Sequence, residues 1–255
     1  MVCGLYMAAK KRPKFDGFVA DARALGLDVV DLDLDSGASA DCLDAILHNF
    51  TDDIATADRD AGAARRLANF ETLLASNPHA VLIDPLAGIR PLLNRADMQR
   101  TLADIIHDFQ IDAALPKWVT IPANSSTPNI TAALQAAGLC APFLCKSEAA
   151  CGVSYSHDMA VFSDARQLEQ YAVPPPFTIQ EFRNHAAVVL KIYVLGAQWF
   201  VHPGPSIADT EATTDLIGTY ASAHATFTTH SPSDVAKMFN IAEQYADIHD
   251  VYFFF

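Results

Sequence analysis

The sequence predicts an α/β protein in two parts, and three observations carry the prediction. Hydrophobic residues make up 51% of the 255 residues and charged residues 18%, which is ample material for a packed core. Strand-like and helix-like segments alternate over the first 90 or so residues, the pattern of a small open α/β sheet. After Ala113 the texture changes to short strand-like runs with few helices, as in a region dominated by antiparallel strands.

The elements follow in order. Residues 2–8 read as a short buried strand. Residues 15–25 have helical spacing (Phe15, Phe18, Val19, Ala22, Leu25) and stop at Gly26, a residue suited to a helix C-terminus. Residues 27–34 alternate Val30, Leu32 and Leu34 with Asp31, Asp33 and Asp35, which gives a strand with one wet face. Residues 43–50 form another strand. Residues 61–75 form an amphipathic helix that Asn77-Pro78 breaks, and residues 80–83 are an apolar strand. Asp84-Pro85 punctuates, and residues 92–109 are helical. Strand-like runs then fall at 118–121, 142–146, 159–162, 177–182, 188–195 and 199–202, with one helix at 130–137. Residues 204–229, rich in Ala, Thr and Ser, read as a loop. Residues 231–247 carry a cap signal and a helical apolar stripe, and 251–255 are a final strand-like run.

Charge and cysteine usage narrow the function. There are 17 Lys and Arg against 30 Asp and Glu, a net charge of −13, which disfavours nucleic acid and anionic lipid as partners. No apolar run is long enough for a membrane span. The five cysteines (Cys3, Cys42, Cys140, Cys145, Cys151) form no CxxC pair and no Cys/His pair with zinc spacing. Residues 1–9 are apolar but too short for a signal peptide, and the basic residues follow them. A cytoplasmic protein with reduced thiols is expected.

On this acidic background the few lysines stand out. Lys10, Lys11 and Lys14 cluster with Arg12 just after the first strand. Such a cluster is a solvated loop or an anion site at the C-terminal end of a strand, where open α/β sheets bind ligands. Lys146 and Lys191 each interrupt an apolar strand, Pro142-Phe143-Leu144-Cys145-Lys146 and Val188-Val189-Leu190-Lys191-Ile192-Tyr193-Val194. A lysine there needs an anionic partner or loses its charge. The partner is an internal carboxylate or a phosphate ligand. The segment Ala150-Cys151-Gly152-Val153-Ser154-Tyr155-Ser156-His157 is a small-residue loop whose N–H groups could cradle phosphate. Neither GxxxxGK[ST] nor GxGxxG occurs.

Three segments together resemble the inositol-tetrakisphosphate 1-kinase family, also called inositol 1,3,4-trisphosphate 5/6-kinase. They are Asp84-Pro85-Leu86-Ala87-Gly88-Ile89-Arg90-Pro91-Leu92-Leu93-Asn94-Arg95; the Lys146 strand with Ala150-Cys151-Gly152 and Ser156-His157-Asp158-Met159-Ala160; and Gln180-Glu181-Phe182-Arg183-Asn184-His185 with Lys191-Ile192-Tyr193-Val194-Leu195-Gly196. His48-Asn49-Phe50-Thr51-Asp52 is a degraded fourth match. The resemblance implies an ATP-grasp fold with an N-terminal Rossmann-like α/β domain, divided as 1–91 and 92–255. It implies a kinase moving the γ-phosphate of ATP to a hydroxyl of an inositol tris- or tetrakisphosphate, with ATP and Mg²⁺ as cofactors, acting as a monomer. Arg95 and Lys146 would contact ATP phosphates, Gln180, Glu181 and Phe182 would lie along adenine, and Ser206 would lie near the nucleotide. His157 and Lys191 would hold the inositol phosphate and act in transfer, Lys191 touching ATP as well, and Lys11, with Lys10, would contact inositol phosphate.

The chain departs from the family pattern at Asn49, where the family has a lysine, at Lys146-Ser147, and at Gly204-Pro205-Ser206, where an arginine is replaced. The family's first metal-ligand strand would begin at Tyr252-Phe253-Phe254-Phe255, so the Mg²⁺ ligands are expected beyond residue 255 and none is assigned. The alternative reading is a truncated paralogue that binds nucleotide or inositol phosphate without turnover. A carboxylate–amine ligase of the same fold is a third, disfavoured by the 84–95 segment and the His157 loop.

Overall fold

The computed structural model describes residues 1–210, except 38, 39, 41, 112, 172, 173, 196 and 197, together with residues 218–220. The chain divides into two compact units, Met1–Arg90 and Pro91–Phe255.

In the first unit the alternating apolar runs become four parallel strands: β1 (Val2–Tyr6), β2 (Asp28–Asp31), β3 (Ala45–His48) and β4 (Val81–Ile83). They lie side by side in the order β2-β1-β3-β4. Helix α1 (Asp16–Ala24) follows a short 3₁₀ turn (Arg12–Phe15) and buries Val19 and Ala22 against Leu5 and Val29. The crossover from β3 to β4 holds two helices, α2 (Thr51–Thr56) and α3 (Ala61–Ser76). Asp60 starts α3 by accepting from the amides of Gly62 (2.7 Å) and Ala63 (3.3 Å), and the helix buries Ala63, Phe70 and Leu73 on one face. Phe70 stacks on Phe50, with Tyr6 and His48 around them, beneath the C-terminal ends of β1 and β3. Helix α2 was not expected; its six residues are too few for periodicity to show.

The first unit ends with the short helix α4 (Leu86–Ile89); a 3₁₀ turn at Arg90–Leu93 leads into the second unit and its helix α5 (Arg95–Asp108). A five-stranded sheet follows: β5 (Trp118–Ile121), β6 (Phe143–Ser147), β7 (Met159–Phe162), β8 (Phe177–Glu181) and, later, β11 (Gly218–Tyr220). Its order is β11-β7-β6-β8-β5, antiparallel throughout. Because side chains alternate along a strand, one face carries Phe143, Cys145, Ala160, Phe162, Phe177, Ile179 and Ile121. That face packs on α6 (Thr127–Ala136) through Ile130 and Leu134 and on a 3₁₀ helix (Ala165–Gln170) through Leu168. The opposite face carries Leu144, Lys146, Met159, Val161, Thr178 and Gln180.

Strands β9 (Val188–Leu195) and β10 (Gln198–Pro205) form a separate antiparallel pair. Two expectations are corrected here. β10 runs on through Pro203, Gly204 and Pro205, although the last two read as the start of a loop. Among the described residues β10 pairs with β9 alone, and a strand edge without a partner tolerates the N–H that proline lacks. Gly218–Tyr220, inside the expected loop, is a strand on β7. The expected helix at 231–247 and strand at 251–255 lie outside the described residues.

Candidate functional site: two unpaired cations on one sheet face

The second unit's site is built where α5 begins. Asn94 caps the helix, its Oδ1 accepting from the amides of Ala96 (2.8 Å) and Asp97 (3.1 Å), while its Nδ2 donates to Glu148 Oε1 (2.9 Å). The Arg95 amide donates to the Glu148 carbonyl (2.8 Å), and the Ala150 amide to the Leu93 carbonyl (2.9 Å). These bonds tie residues 93–95 to the segment leaving β6, and so bring Arg95 beside Lys146. Arg95 Nη2 donates to the Ser156 carbonyl (2.6 Å), which anchors the small-residue loop, and its Nε is buried with no partner.

Lys146 has no hydrogen bond or ion pair among the described residues, so the internal carboxylate that a strand lysine would ordinarily need is not there. Burial, with Arg95 nearby, pushes the Lys146 ammonium down to about 8. Burial also holds the Arg95 guanidinium below its usual value, although Tyr171 and Cys151 act the other way. Two adjacent cations, half-buried and without a carboxylate, are an arrangement that an anion of several charges completes.

The same face presents further unpaired polar atoms. Lys146 is registered opposite Thr178, and Thr178 opposite Thr120. The hydroxyls of both threonines are buried without partners. One row along, Gln180 accepts from Gln99 Nε2 of α5 (3.4 Å), and Gln99 Oε1 is buried and unpaired. The sequence reading missed Thr120, Thr178 and Gln99. The run Phe177-Thr178-Ile179-Gln180 alternates apolar and polar residues and carried the signal for a polar sheet face.

The other anticipated residues divide. Phe182 packs with Leu144 on the Lys146 face, as does Ile207, while the hydroxyl of Ser206 lies 2.7 Å from His185 Nε2. Glu181 faces the other way: its buried carboxylate takes the Cys140 amide (3.4 Å) and pairs with Arg183. The amides of Glu181 and Phe182 are already given to the carbonyls of Lys117 (2.9 Å) and Pro142 (2.8 Å). His157 is exposed, directly after the Ser156 carbonyl that Arg95 holds. Lys191 lies on β9 opposite His202 in register, and its side chain is outside the described residues. Among the described residues no three His, Cys, Asp or Glu side chains come together as a metal site, and no metal ligand is assigned. No described helix is long and apolar enough to cross a membrane, and all five cysteines are free thiols.

The first unit carries its own cationic edge. The strand order reverses between β1 and β3, and ligands bind outside the carboxyl ends of parallel strands at such a point. Lys11 follows β1 there. Its Nζ donates to Asn49 Oδ1 (2.7 Å), just after β3, and lies 3.5 Å from Asp52, which Lys10 also approaches at 3.7 Å. Arg12 is committed to Asp31 and Asp16. Asn49→Lys replaces the acceptor of Lys11 with a second ammonium. Without ligand it should lower the melting point slightly, by repulsion worth about 0.5–1 kcal/mol. An inositol polyphosphate should then raise that melting point more than it raises the wild type's. Equal ligand-induced shifts in a thermal melt would show that position 49 does not face the anion.

Comparison with known proteins agrees with this geometry. The chain is 31% identical over 215 residues to an inositol-tetrakisphosphate 1-kinase of Xenopus laevis, a match that covers 80% of this chain and 52% of the relative. The chain thus spans about half the length of the curated relatives it matches. Among solved structures, the macrocyclase MdnC of Microcystis aeruginosa, bound to its precursor peptide, superposes with a TM-score of 0.55 at 14% identity over 99% of this chain and 85% of that one. A RimK domain ATP-grasp protein of Sphaerobacter thermophilus gives 0.52 at 18% identity over 97% and 81%. These two likenesses establish the ATP-grasp fold. The model of the inositol 1,3,4-trisphosphate 5/6-kinase ATP-grasp domain matches residues 109–248, more than half of the sequence, and the chain belongs to that family.

Proposed function

We propose that the chain is an inositol phosphate kinase that transfers the γ-phosphate of ATP to a hydroxyl of an inositol tris- or tetrakisphosphate. The observation that carries the reading is Arg95, at the start of α5, beside Lys146 of the antiparallel sheet, with no carboxylate paired to either among the described residues. Phosphoryl transfer depends on positioning and charge neutralisation far more than on covalent chemistry by the protein. Lys146 and Arg95 would neutralise the ATP phosphates. Arg95 also fixes the loop that carries His157, so nucleotide and substrate contacts share one anchor. Gln180, Glu181 and Phe182 would lie along the base, and Ser206 near the nucleotide. His157 and Lys191 would hold and orient the inositol phosphate, and Lys11, with Lys10, would contact inositol phosphate as well. Mg²⁺, when bound, would supply charge neutralisation at the β- and γ-phosphates. The reading extends to an N-terminal Rossmann-like α/β domain over 1–91, an ATP-grasp domain over 92–255, and a monomer working in the cytoplasm.

The test is calorimetric titration with ATP, followed by assay with inositol 1,3,4-trisphosphate and Mg²⁺. ATP binding is expected of this chain, and turnover on the order of 1–100 s⁻¹ of a protein that also carries the Mg²⁺ ligands. ATP binding with no transfer to any inositol tris- or tetrakisphosphate would leave a binding protein, and failure to bind ATP would remove the reading altogether.

A further inference from the structure

Helix α5 and strand β8 each carry two polar residues on one face. Arg95 and Gln99 lie four residues apart on α5, so they stand one turn apart on the same side. Thr178 and Gln180 lie two residues apart on β8, and so on one face of the sheet. The two pairs meet at both ends. Thr178 is registered opposite Lys146, which has Arg95 beside it, and Gln180 Oε1 accepts from Gln99 Nε2 (3.4 Å). A helical turn advances about 5.4 Å and two strand residues about 6.6 Å, so helix and sheet cover the distance from the cations to the glutamines in comparable steps.

This path holds polar atoms that the fold leaves without partners. Gln99 Oε1 and the Thr178 hydroxyl are both buried and unpaired, and Thr178 is only 1% exposed. A hydroxyl stripped of water with nothing in return weakens a fold, and packing alone would be served by valine. Around it Lys146, Gln180 and Gln99 are half-buried, long side chains whose ends reach solvent and can turn aside. The types of the two atoms say what they can take. Gln99 has given an N–H to Gln180, which leaves its oxygen as an acceptor, and the free Thr178 hydroxyl can donate. An acceptor held at Gln180 and a donor at the next position along the same face fit one edge of adenine, where the 6-amino N–H stands next to N7. Guanine carries O6 in place of the amino group and would set acceptor against acceptor.

We infer that Gln99 and Thr178 select the base of the nucleotide, Gln99 Oε1 accepting from the 6-amino group of adenine and Thr178 Oγ donating to N7. The inference rests on the kinase reading above, which puts the phosphates at Arg95 and Lys146 and the base along Gln180. Neither residue touches the reacting atoms; both determine specificity.

The experiment titrates the whole chain calorimetrically with ATP, GTP and 7-deaza-ATP, which has a C–H in place of N7. The wild type should prefer ATP to GTP by about 5- to 150-fold and bind 7-deaza-ATP about 3- to 10-fold more weakly than ATP. Gln99→Leu should bring ATP and GTP close to equal by weakening ATP. Thr178→Val should weaken ATP about 3- to 10-fold, leave 7-deaza-ATP as it was, and melt no lower than the wild type; Thr178→Ser should restore ATP. A merely structural threonine would not tell ATP from 7-deaza-ATP. Should a variant not fold, the wild-type comparison decides. Equal affinity for ATP and GTP, or a preference for GTP, overturns the role of Gln99, and equal affinity for ATP and 7-deaza-ATP overturns that of Thr178. Either result leaves the kinase reading standing, whereas a chain that binds none of the three triphosphates overturns both.

Discussion

Lys146→Met should make the ligand-free protein more stable while it loses at least 10- to 150-fold in affinity for ATP. The two effects have opposite signs because one charge causes both. Lys146 sits half-buried with no carboxylate, and its ammonium is pushed down to about 8 by burial first and by Arg95 second. The folded chain therefore releases this proton near pH 8, while an unfolded lysine keeps it to about 10.4. Between those values the unfolded state holds more protons, so wild-type stability rises with pH across that window and is lowest below it. Methionine has no charge to bury and should remove that rise, with a gain below pH 8 on the order of 1–3 kcal/mol. ATP supplies the missing anion, and the lost charge-assisted contact is worth about 1.5–3 kcal/mol. ATP affinity of the wild type should also fall above pH 8, as the lysine in the free protein gives up its proton. Thermal melts with and without ATP from pH 7 to 10.5, beside calorimetry at pH 7, read all of this. Equal ATP affinity in the two proteins would show that Lys146 does not touch the nucleotide.

Lys146 could be read from the sequence because a charge in the middle of an apolar strand is a local anomaly. Arg95 could not be read that way. It follows a good capping residue, where a charged side chain is ordinary, and only the resemblance singled it out. Its closeness to Lys146 depends on the 93–95 segment pairing with residues 148–150, a contact over more than fifty residues that no local pattern encodes. The same applies to His185 and Ser206, 21 positions apart and joined only because β9 and β10 run antiparallel with their flanks in register. The four parallel strands of the first unit were legible, 2–8 and 43–50 as short strand-like runs, 27–34 as an alternation of apolar and acidic residues after Gly26, and 80–83 as an apolar run between Asn77-Pro78 and Asp84-Pro85. β11 was not, since three residues, Gly-Thr-Tyr, hold too little pattern and owe their conformation to the free edge of β7.

Asp84→Asn should raise the melting point at pH 7.5 and remove an acid-side stability gain. Asp84 follows β4 at the carboxyl edge of the parallel sheet, and its Oδ1 is buried with no partner. Burial alone raises its carboxyl to about 6, against about 4 in an unfolded chain. The folded state thus binds more protons than the unfolded state between those values. The stabilisation is complete below pH 4, is lost as pH rises through 6, and leaves a strained carboxylate at neutral pH. Asparagine mimics the protonated acid at every pH, so the variant should be more stable at pH 7.5 by about 1–3 kcal/mol. That corresponds to about 2–4 °C for each kcal/mol in a chain of this size. His48 complicates the wild-type curve. It is buried at the end of β3, its Nε2 donates to the Asp84 carbonyl (2.7 Å), and its Nδ1 has no partner. Burial lowers its affinity for a proton, so His48 makes the fold less stable as pH falls below about 6.5, opposite in sign to Asp84. Because His48 is common to both proteins, its contribution cancels in the difference between variant and wild type. That difference should be flat above pH 6.5 and close to zero near pH 4. A difference that does not change between pH 4 and 7 would mean that Asp84 is hydrated and ionised in the folded protein like any surface carboxylate.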